Sequence, residues 1–217
     1  MKVFLSPSDQ WSNITANGKH SEAYHCTKIA ICVRNYLVIN GYDVKIGNNN
    51  KENTYKDRVK ESNEWGADLH IPIHTNAGGG EGTLMLCYPT RINNRYVTSI
   101  YKEVAELTPT VDRGIQTARN LYEINATKCV TAYLECEFHD NVNTETWIDE
   151  HVIDLARAIA KGICVADGKS TFVEMSEKNK NEKIYKVQVG AFRVRENAEN
   201  LQKKLYEKGY NSFIVEG

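Results

Sequence analysis

Apolar residues in the first 165 positions recur with two periods, one typical of strands and one typical of helices. Short apolar or alternating runs predict strands at 2–5, 42–46, 68–77, 82–88 and 130–138. Longer segments with apolar residues three or four positions apart predict helices at 21–39, 55–65, 94–107 and 144–164. This alternation predicts an α/β domain with a mostly parallel sheet flanked by helices on both faces.

Turn and cap residues place the ends of these elements. Ser21 is a suitable N-cap for the first long helix, which puts Glu22 in its first turn. Gly41 and Gly66 follow the first two helices, as glycine commonly does. We predict an irregular loop at 114–120 and a short strand or loop edge at 121–124.

The composition changes after the last long helix. Residues 166–183 are polar and highly charged, which predicts a linker between a domain at 1–165 and a smaller module at 184–217. In that module, 184–192 and 210–215 have strand patterns, and 196–207 has an amphipathic helical pattern. The expected C-terminal module is therefore a small β-α-β unit.

The overall charge and hydropathy exclude several classes of partner. The 217 residues include 27 basic and 28 acidic side chains, so no general attraction to nucleic acid or to anionic lipid is expected. No stretch has the roughly 18 apolar residues of a transmembrane helix, and the first residues lack the pattern of a signal peptide. We therefore expect synthesis in the cytoplasm and no membrane insertion. The six cysteines lack C-x-x-C spacing, which indicates reduced thiols.

The predicted strand at 68–77 contains two histidines. His70 and His74 share one face because side chains alternate along a strand, and His74 lies at the strand exit. Asn76 and the glycines at 78–80 follow directly. The carboxyl ends of strands in open α/β sheets commonly bind ligands, although a buried histidine can also be purely structural.

A second predicted strand contains two glutamates among mostly apolar residues. Glu135 lies within the predicted strand at 130–138 and needs a cation, a hydrogen-bond partner or a raised pKa. Glu137 shares its strand face and could raise that pKa by repulsion. A catalytic zinc site commonly has three nitrogen or carboxylate ligands and a nearby carboxylate base, and Glu22, His74 and Glu135 offer such groups.

Three segments resemble one known family. The run GADLHIPIHTNAGGGEGT resembles the SIHxNA strand of zinc-dependent N-acetylmuramoyl-L-alanine amidases of the amidase-3 type, TAYLECEFHDN resembles their vE-x-GF-x-sN segment, and HSEAYHCTKIA resembles their glutamate-bearing first helix. The resemblance implies that Glu22 and His74 bind zinc and that Glu135 is the catalytic carboxylate. The implied substrate is the amide between N-acetylmuramic acid and L-alanine in peptidoglycan.

The third zinc ligand departs from that family pattern. The family usually ends its first strand in Gly-His, whereas this chain has Pro7-Ser8-Asp9. The alternatives are Asp9, His20, His25, His70 and His139. We favour His70, because the chain resembles a subgroup of these amidases that has SPS near the start and the arrangement LHxxIHxNA in this strand. The alternative is that His70 supports the site without binding the metal. Asn76 and His139 are expected to contact substrate.

The C-terminal text YKVQVGAF…ENAENLQKKLYEKGYNSFIV resembles the SPOR repeat, a module that binds peptidoglycan. The resemblance covers one β-α-β half, so we expect that the module pairs with a second copy in a homodimer or that it is shortened. An amidase with a wall-binding tail and no export signal resembles an endolysin or an autolysin that acts at the bacterial cell wall after release. The alternatives are an inactive amidase-fold protein that binds the wall and a zinc peptidase that cuts within stem peptides.

Overall fold

A seven-stranded sheet forms the centre of the N-terminal part of the chain. The computed structural model describes residues 1–47, 53–175, 189–207, 212 and 214. The chain divides into two compact units, Met1–Glu174 and Met175–Gly217. The strands of the first unit are β1 (Lys2–Pro7), β2 (Asp43–Ile46), β3 (Leu69–Asn76), β4 (Thr83–Cys87), β5 (Asp112–Thr117), β6 (Val130–Thr131) and β7 (Tyr133–Phe138).

The strand order is β2-β1-β3-β7-β4-β5, with β6 also paired to β3. All pairs are parallel except β4 with β7. A parallel crossover needs about a dozen residues or more, and the connection 77–82 between β3 and β4 is shorter, so β4 runs in the opposite direction. The prediction of an α/β fold with a mostly parallel sheet is confirmed.

The helices flank this sheet. They are α1 (Glu22–Ile39), α2 (Tyr55–Trp65), α3 (Arg95–Ala105), α4 (Tyr122–Asn125), α5 (Val142–Glu150) and α6 (Val152–Ala166), with a 3-10 turn at Pro89–Arg91. Helix α6 contacts α1 and α3, whereas α2 contacts α4 and β1. The central strands β1 and β3 are almost completely buried, which explains their long apolar runs.

Local signals account for the helices that were predicted most closely. Ser21 is the N-cap of α1, and its side chain accepts a hydrogen bond from the N–H of Tyr24. Helix α2 has the predicted bounds, because Thr54 and Asp57 form a capping box at its start and Gly66 ends it in a left-handed conformation.

Three predicted elements were wrong. Asp112–Thr117, expected to lie largely in a loop, is an edge strand paired with β4, and Tyr122–Asn125, expected to be a strand or loop edge, is a single helical turn. The expected helix at 144–164 is divided into α5 and α6 at His151, whose φ of −113° and ψ of 19° interrupt the helical backbone. The ring of His151 stacks on Trp147 at this break.

Residues that follow the last helix of the first unit pack on that unit. Phe172 stacks on Tyr36, and the side-chain amide of Asn40 bonds the backbone of Val173 at both its N–H and its carbonyl. Residues after Ala166 therefore pack on the first unit as far as Glu174. The part of the predicted linker from 176 onward lies outside the described residues.

The second unit contains the helix α7 (Arg195–Glu207), close to the predicted 196–207. Residues 189–192 are not in a strand. The remainder of the two strands predicted for this module lies almost wholly outside the described residues. All six cysteines are free thiols, as expected. Within the described part of the chain, no helix has both the length and the apolar character required to cross a membrane.

Candidate active site

The pairing of two adjacent strands brings His74 and Glu135 side by side. Strand β3 lies between β1 and β7, and His74 is directly opposite Glu135 in the parallel pairing of β3 with β7. Pro7 of β1 is opposite Ile73, so the segment after β1 starts beside the same strand end. The site therefore occupies the edge where parallel sheets commonly bind ligands.

Glu22 reaches this edge from the start of α1. Its backbone N–H donates to the carbonyl of Asn13 at 2.8 Å, which holds the helix start against the loop after β1. Oε1 of its carboxylate lies 2.8 Å from Nδ1 of His74, and both side chains are buried. The structure thus brings these two predicted metal ligands into contact.

The segment that replaces the family's Gly-His supplies hydrogen-bond donors to Glu22. The amide of Asn13 donates to its Oε2 at 3.1 Å, the amide of Gln10 to its Oε1 at 3.4 Å, and the hydroxyl of Ser8 also donates. Burial alone raises the pKa of Glu22, but the hydrogen bond and charge of His74 and these donors outweigh it and lower the pKa. Glu22 is therefore ionised at neutral pH.

A second carboxylate, Glu123 of α4, lies on the other side of the His74 ring. Its Oε2 is 3.7 Å from Nε2 of His74, and its Oε1 is 3.2 Å from Nε2 of His70. Oε1 also accepts a hydrogen bond from the hydroxyl of Ser6. Glu123 is almost completely buried, and these contacts connect both histidines of β3 to the end of β1.

These contacts determine the charge of His74. Burial lowers the pKa of this imidazole, but Glu123, Glu22 and Glu135 together outweigh burial and raise the pKa to about 10. Burial raises the pKa of Glu123, but its contacts with His70 and His74 hold it well below the usual range. His74 thus lies between two carboxylates that favour its protonated form, and the ring of Tyr133 stacks on it with the ring centroids 4.6 Å apart.

Glu135 differs from the other two carboxylates because one of its oxygens lacks a partner. Its Oε2 is buried and accepts no hydrogen bond from any described residue. Burial and the charge of Glu22 raise its pKa to about 7, against the opposing charges of His74 and Arg113. A carboxyl group with a pKa near neutrality can take up and release a proton under physiological conditions.

The donor set fits a divalent cation only in part. Three carboxylates act on one imidazole, and Glu22 and His74 would be the residues to hold a cation in place of a proton. Among the described residues, no third His, Cys, Asp or Glu donor joins these two atoms in a compact group. The described residues therefore offer two candidate protein ligands, Glu22 and His74, rather than the usual three.

The proposed third ligands are engaged elsewhere. Asp9 accepts a hydrogen bond from the N–H of Tyr55 and lies 3.6 Å from Arg58, so it holds the start of α2. His70 is completely buried, with Nδ1 3.0 Å from the hydroxyl of Ser62 and Nε2 directed at Glu123. Neither ring nitrogen of His70 is directed at Glu22.

The other three candidate histidines also contact residues other than His74. His20 stacks on Tyr24, and His25 lies 3.0 Å from Asp149 of α5. Nδ1 of His139 is 3.0 Å from both the hydroxyl and the carbonyl oxygen of Thr75. The two expected substrate residues thus differ in exposure, because His139 is buried and Asn76 is partly exposed at the end of β3.

The glycine loop after β3 is held by Asp140. Its Oδ2 accepts hydrogen bonds from the N–H groups of Gly78 and Gly79 at 2.6 and 2.8 Å. A Cβ on Gly80 would lie 2.8 Å from the ring of Phe138, so this position requires glycine. The loop therefore has a defined path along one side of the site.

Glu137 does not form the predicted pair with Glu135. Its carboxylate accepts hydrogen bonds from the N–H of Gly82 and from the hydroxyls of Thr108 and Thr110. These bonds connect β7 to the segments around β4 and β5. The raised pKa of Glu135 comes from burial and from Glu22 instead.

Sequence reasoning missed Glu123, the residue that joins His70 to His74. The segment LYEIN is too short to show a helical period, and nothing in its local composition sets this glutamate apart. The requirement that a buried strand histidine such as His70 have a partner was the only available signal.

Comparison with known proteins identifies the family of the chain. The family model described as "N-acetylmuramoyl-L-alanine amidase" matches residues 10–165, and the SPOR domain model matches residues 168–217. A sporulation-specific N-acetylmuramoyl-L-alanine amidase of Bacillus subtilis is 29% identical over 99% of this chain and 84% of its own. The N-acetylmuramoyl-L-alanine amidase CwlM of Bacillus licheniformis is 27% identical over 99% of this chain and 85% of its own.

Solved structures agree on the fold. The catalytic domain of CwlV from Bacillus (Paenibacillus) polymyxa var. colistinus superposes with a TM-score of 0.70 at 22% identity, covering 78% of this chain and 99% of that domain. The catalytic domain of the CD27L endolysin gives a TM-score of 0.62 at 22% identity, covering 76% of this chain and 97% of that domain. Since the family model covers most of the chain and the fold agrees, the chain belongs to the N-acetylmuramoyl-L-alanine amidase family and carries a C-terminal SPOR region.

Proposed function

We propose that the chain hydrolyses the amide between N-acetylmuramic acid and L-alanine in peptidoglycan. The observation that carries this proposal is the placement of Glu22, His74 and Glu135 at one strand edge, in the fold of this amidase family. The three side chains offer an ionised carboxylate, an imidazole and a carboxyl group with a pKa of about 7.

Glu22 and His74 would hold the zinc ion on which this amidase family generally depends. Zinc at such a position supplies a Lewis acid and lowers the pKa of a bound water. Glu123 faces the other ring nitrogen of His74 and would keep a proton there, so that Nδ1 is free for the metal. His70 and Ser6 hold Glu123 in place, which gives His70 a positioning role rather than its expected place as a ligand.

Glu135 would act as the proton carrier. As a carboxylate it accepts a proton from the attacking water, whose oxygen forms a bond to the scissile carbonyl carbon. It then returns that proton to the departing nitrogen of L-alanine as the C–N bond breaks. The products are a lactyl carboxylate on the sugar and a peptide with a free L-alanine amine, and no covalent intermediate with the enzyme is required.

Substrate would lie along the strand ends and the glycine loop. Asn76 is partly exposed beside the loop held by Asp140, and we expect it to contact the glycan or the stem peptide. His139 contacts Thr75 instead, so we expect it to act indirectly by fixing the end of β3.

The SPOR region would retain the enzyme on peptidoglycan, so the chain would act at the bacterial cell wall after release. The sporulation-specific relative, which matches nearly the whole chain, favours an autolysin over an endolysin. Pairing of two SPOR regions in a homodimer stays a prediction that sedimentation analysis of the full chain would test.

Mass analysis of digested peptidoglycan tests the reaction. Wild-type protein should release peptides with a free N-terminal L-alanine, and Glu135→Gln should lose at least the roughly 100-fold that a general base contributes. Glu64→Gln on α2 is a matched control, because that side chain is 69% exposed and far less constrained. Cuts within the stem peptide alone would instead identify a peptidase.

The absence of a compact third ligand among the described residues favours one alternative, an amidase fold that binds the wall without cutting it. Wild-type protein that sediments with peptidoglycan but releases no peptide, even with added zinc, would establish that alternative. Peptide release by wild-type protein together with its loss in Glu22→Gln and Glu135→Gln would exclude it.

A further inference from the structure

A second group of metal-ligating side chains lies between α1 and α5. His25 of α1 and Glu145 and Asp149 of α5 each offer one donor atom, and the three atoms lie within 4.8 Å of one another. Glu145 and Asp149 are four residues apart and so lie on one helix face. None of the three side chains belongs to the site around His74.

Two members of this group are buried without satisfying their polar atoms. His25 is completely buried, and neither of its ring nitrogens makes a hydrogen bond to a described residue. Its Nε2 lies 3.0 Å from Oδ1 of Asp149, but without hydrogen-bond geometry. Glu145 is 1% exposed, and its Oε1 also has no partner in the described part of the chain. A buried carboxylate oxygen without a partner is unfavourable unless a cation compensates it.

The protonation of the group suits a metal ligand set. Burial lowers the pKa of His25 to about 4 against the opposing charge of Asp149, with His20 and Lys28 adding to the decrease. His25 is therefore a neutral nitrogen donor at neutral pH, the form that binds metals. Burial and the charge of Asp149 raise the pKa of Glu145 against the opposing hydrogen bond from Thr15.

The surroundings leave one side open. The Asp149 side chain is 30% exposed, which provides access from solvent. Lys28 lies 3.8 Å from Asp149 and is itself 42% exposed, so it can turn toward solvent when a cation binds. The ring of His20 stands edge-on to His25 at 5.6 Å and closes another side.

We propose that His25, Glu145 and Asp149 bind a divalent transition-metal ion, with Zn²⁺ as the best match to one imidazole and two carboxylates. The ion would join the start of α1 to α5 and leave room for a water ligand. It would thereby fix the helix end that carries Glu22, without taking part in the reaction. The proposal does not depend on metal binding at His74.

Zinc stoichiometry tests this site separately from the one at His74. The full chain is first freed of metal with a chelator. Its zinc content after dialysis against zinc and its zinc-binding isotherm are then measured. The proteins compared are wild type, Asp149→Asn, His25→Gln, Glu22→Gln and the Glu22→Gln/Asp149→Asn double variant. Wild type should bind two zinc ions, each single variant one, and the double variant none. Glu150→Gln, an exposed acid on the same helix, should match wild type.

The outcomes separate the two sites. If wild type binds one zinc and Asp149→Asn binds none, the second site is supported and the one at His74 fails. Equal zinc binding by wild type, Asp149→Asn and His25→Gln would overturn the proposal. Because Asp149 is partly exposed, Asp149→Asn should fold and keep the wild-type circular dichroism spectrum. A decrease of less than about 10-fold in the zinc affinity of this site in that folded variant would also count against the proposal.

Discussion

Replacing Glu123 by glutamine removes the charge that connects His70 and His74. The carboxylate is 4% exposed and lies 3.7 Å from His74 Nε2, where two unit charges attract by about 4–5 kcal/mol at an effective dielectric constant of about 20. Loss of one partner of a buried ion pair commonly costs about 3–5 kcal/mol. Glutamine keeps the shape and one oxygen acceptor, so we expect the lower value, about 3 kcal/mol in the free energy of unfolding of the metal-free protein.

Thermal unfolding with a chelator measures this effect. For a domain of this size, 1 kcal/mol corresponds to roughly 2–4 °C, so Glu123→Gln should lower Tm by roughly 6–12 °C. The pKa of His74, raised to about 10 in the wild type, should fall in the variant and can be followed by NMR titration of the imidazole. Glu64→Gln is the matched control and should change stability by less than about 0.5 kcal/mol.

A Tm within about 1 °C of wild type and an unchanged His74 titration would refute the reasoning, because they would mean that the Glu123 carboxylate does not interact with the imidazole. A lower Tm with an unchanged titration would assign Glu123 to packing alone. Zinc affinity should also fall about 10–100-fold in Glu123→Gln, the usual effect of removing a carboxylate that orients a histidine ligand.

Three further predictions concern separate parts of the molecule. Peptide release should increase as the pH rises through about 7, since Glu135 can accept a proton only when it is ionised; a flat profile between pH 6 and 8 would contradict this. Because burial raises the pKa of Glu135 from 4.5 to about 7 in the folded protein, its contribution to stability is fully present below pH 4.5 and is lost as the pH rises through about 7. Glu135→Gln should therefore stabilise the metal-free protein more at pH 8 than at pH 4, measured by urea unfolding. Gly162→Ala would place a Cβ 2.5 Å from Cα of Ile100, so it should destabilise the protein by about 1–3 kcal/mol, and a neutral result in urea unfolding would mean that α3 and α6 are not so closely packed.

The strands and helices that could be predicted are those specified by local chemistry. Capping at Ser21 and Thr54 and the glycine at 66 locate α1 and α2 from short-range signals alone. The apolar run of β3 is long enough to identify a buried central strand. In each case the sequence near the element contains the physical cause of its ends.

The missed elements depend on distant partners. β5 is polar and half exposed, and it becomes a strand because β4 offers an edge with which to pair. The single turn α4 has too few residues for a period, and it is held by Asn63 of α2, whose amide donates to the carbonyl of Ala126. Such long-range pairing leaves no trace in local hydropathy.

The choice of candidate active-site residues could likewise be made where the signal was local and could not be made where it depended on tertiary packing. Glu22, His74 and Glu135 could be selected because each lies in a recognisable helix or strand and in a segment that resembles the family's motifs. A third metal ligand could not be selected in this way, because the sequence offers five candidates and tertiary packing gives each of them a different partner. The polar segment 8–13 instead gives Glu22 neutral donors where the family has a histidine, so a cation at this site would retain more of its positive charge against Glu22 and Glu135. A zinc ion held here by two protein ligands would be a stronger Lewis acid but more weakly bound, and the proposal therefore requires that the carboxylates around His74 supply by charge the affinity that a third ligand would provide.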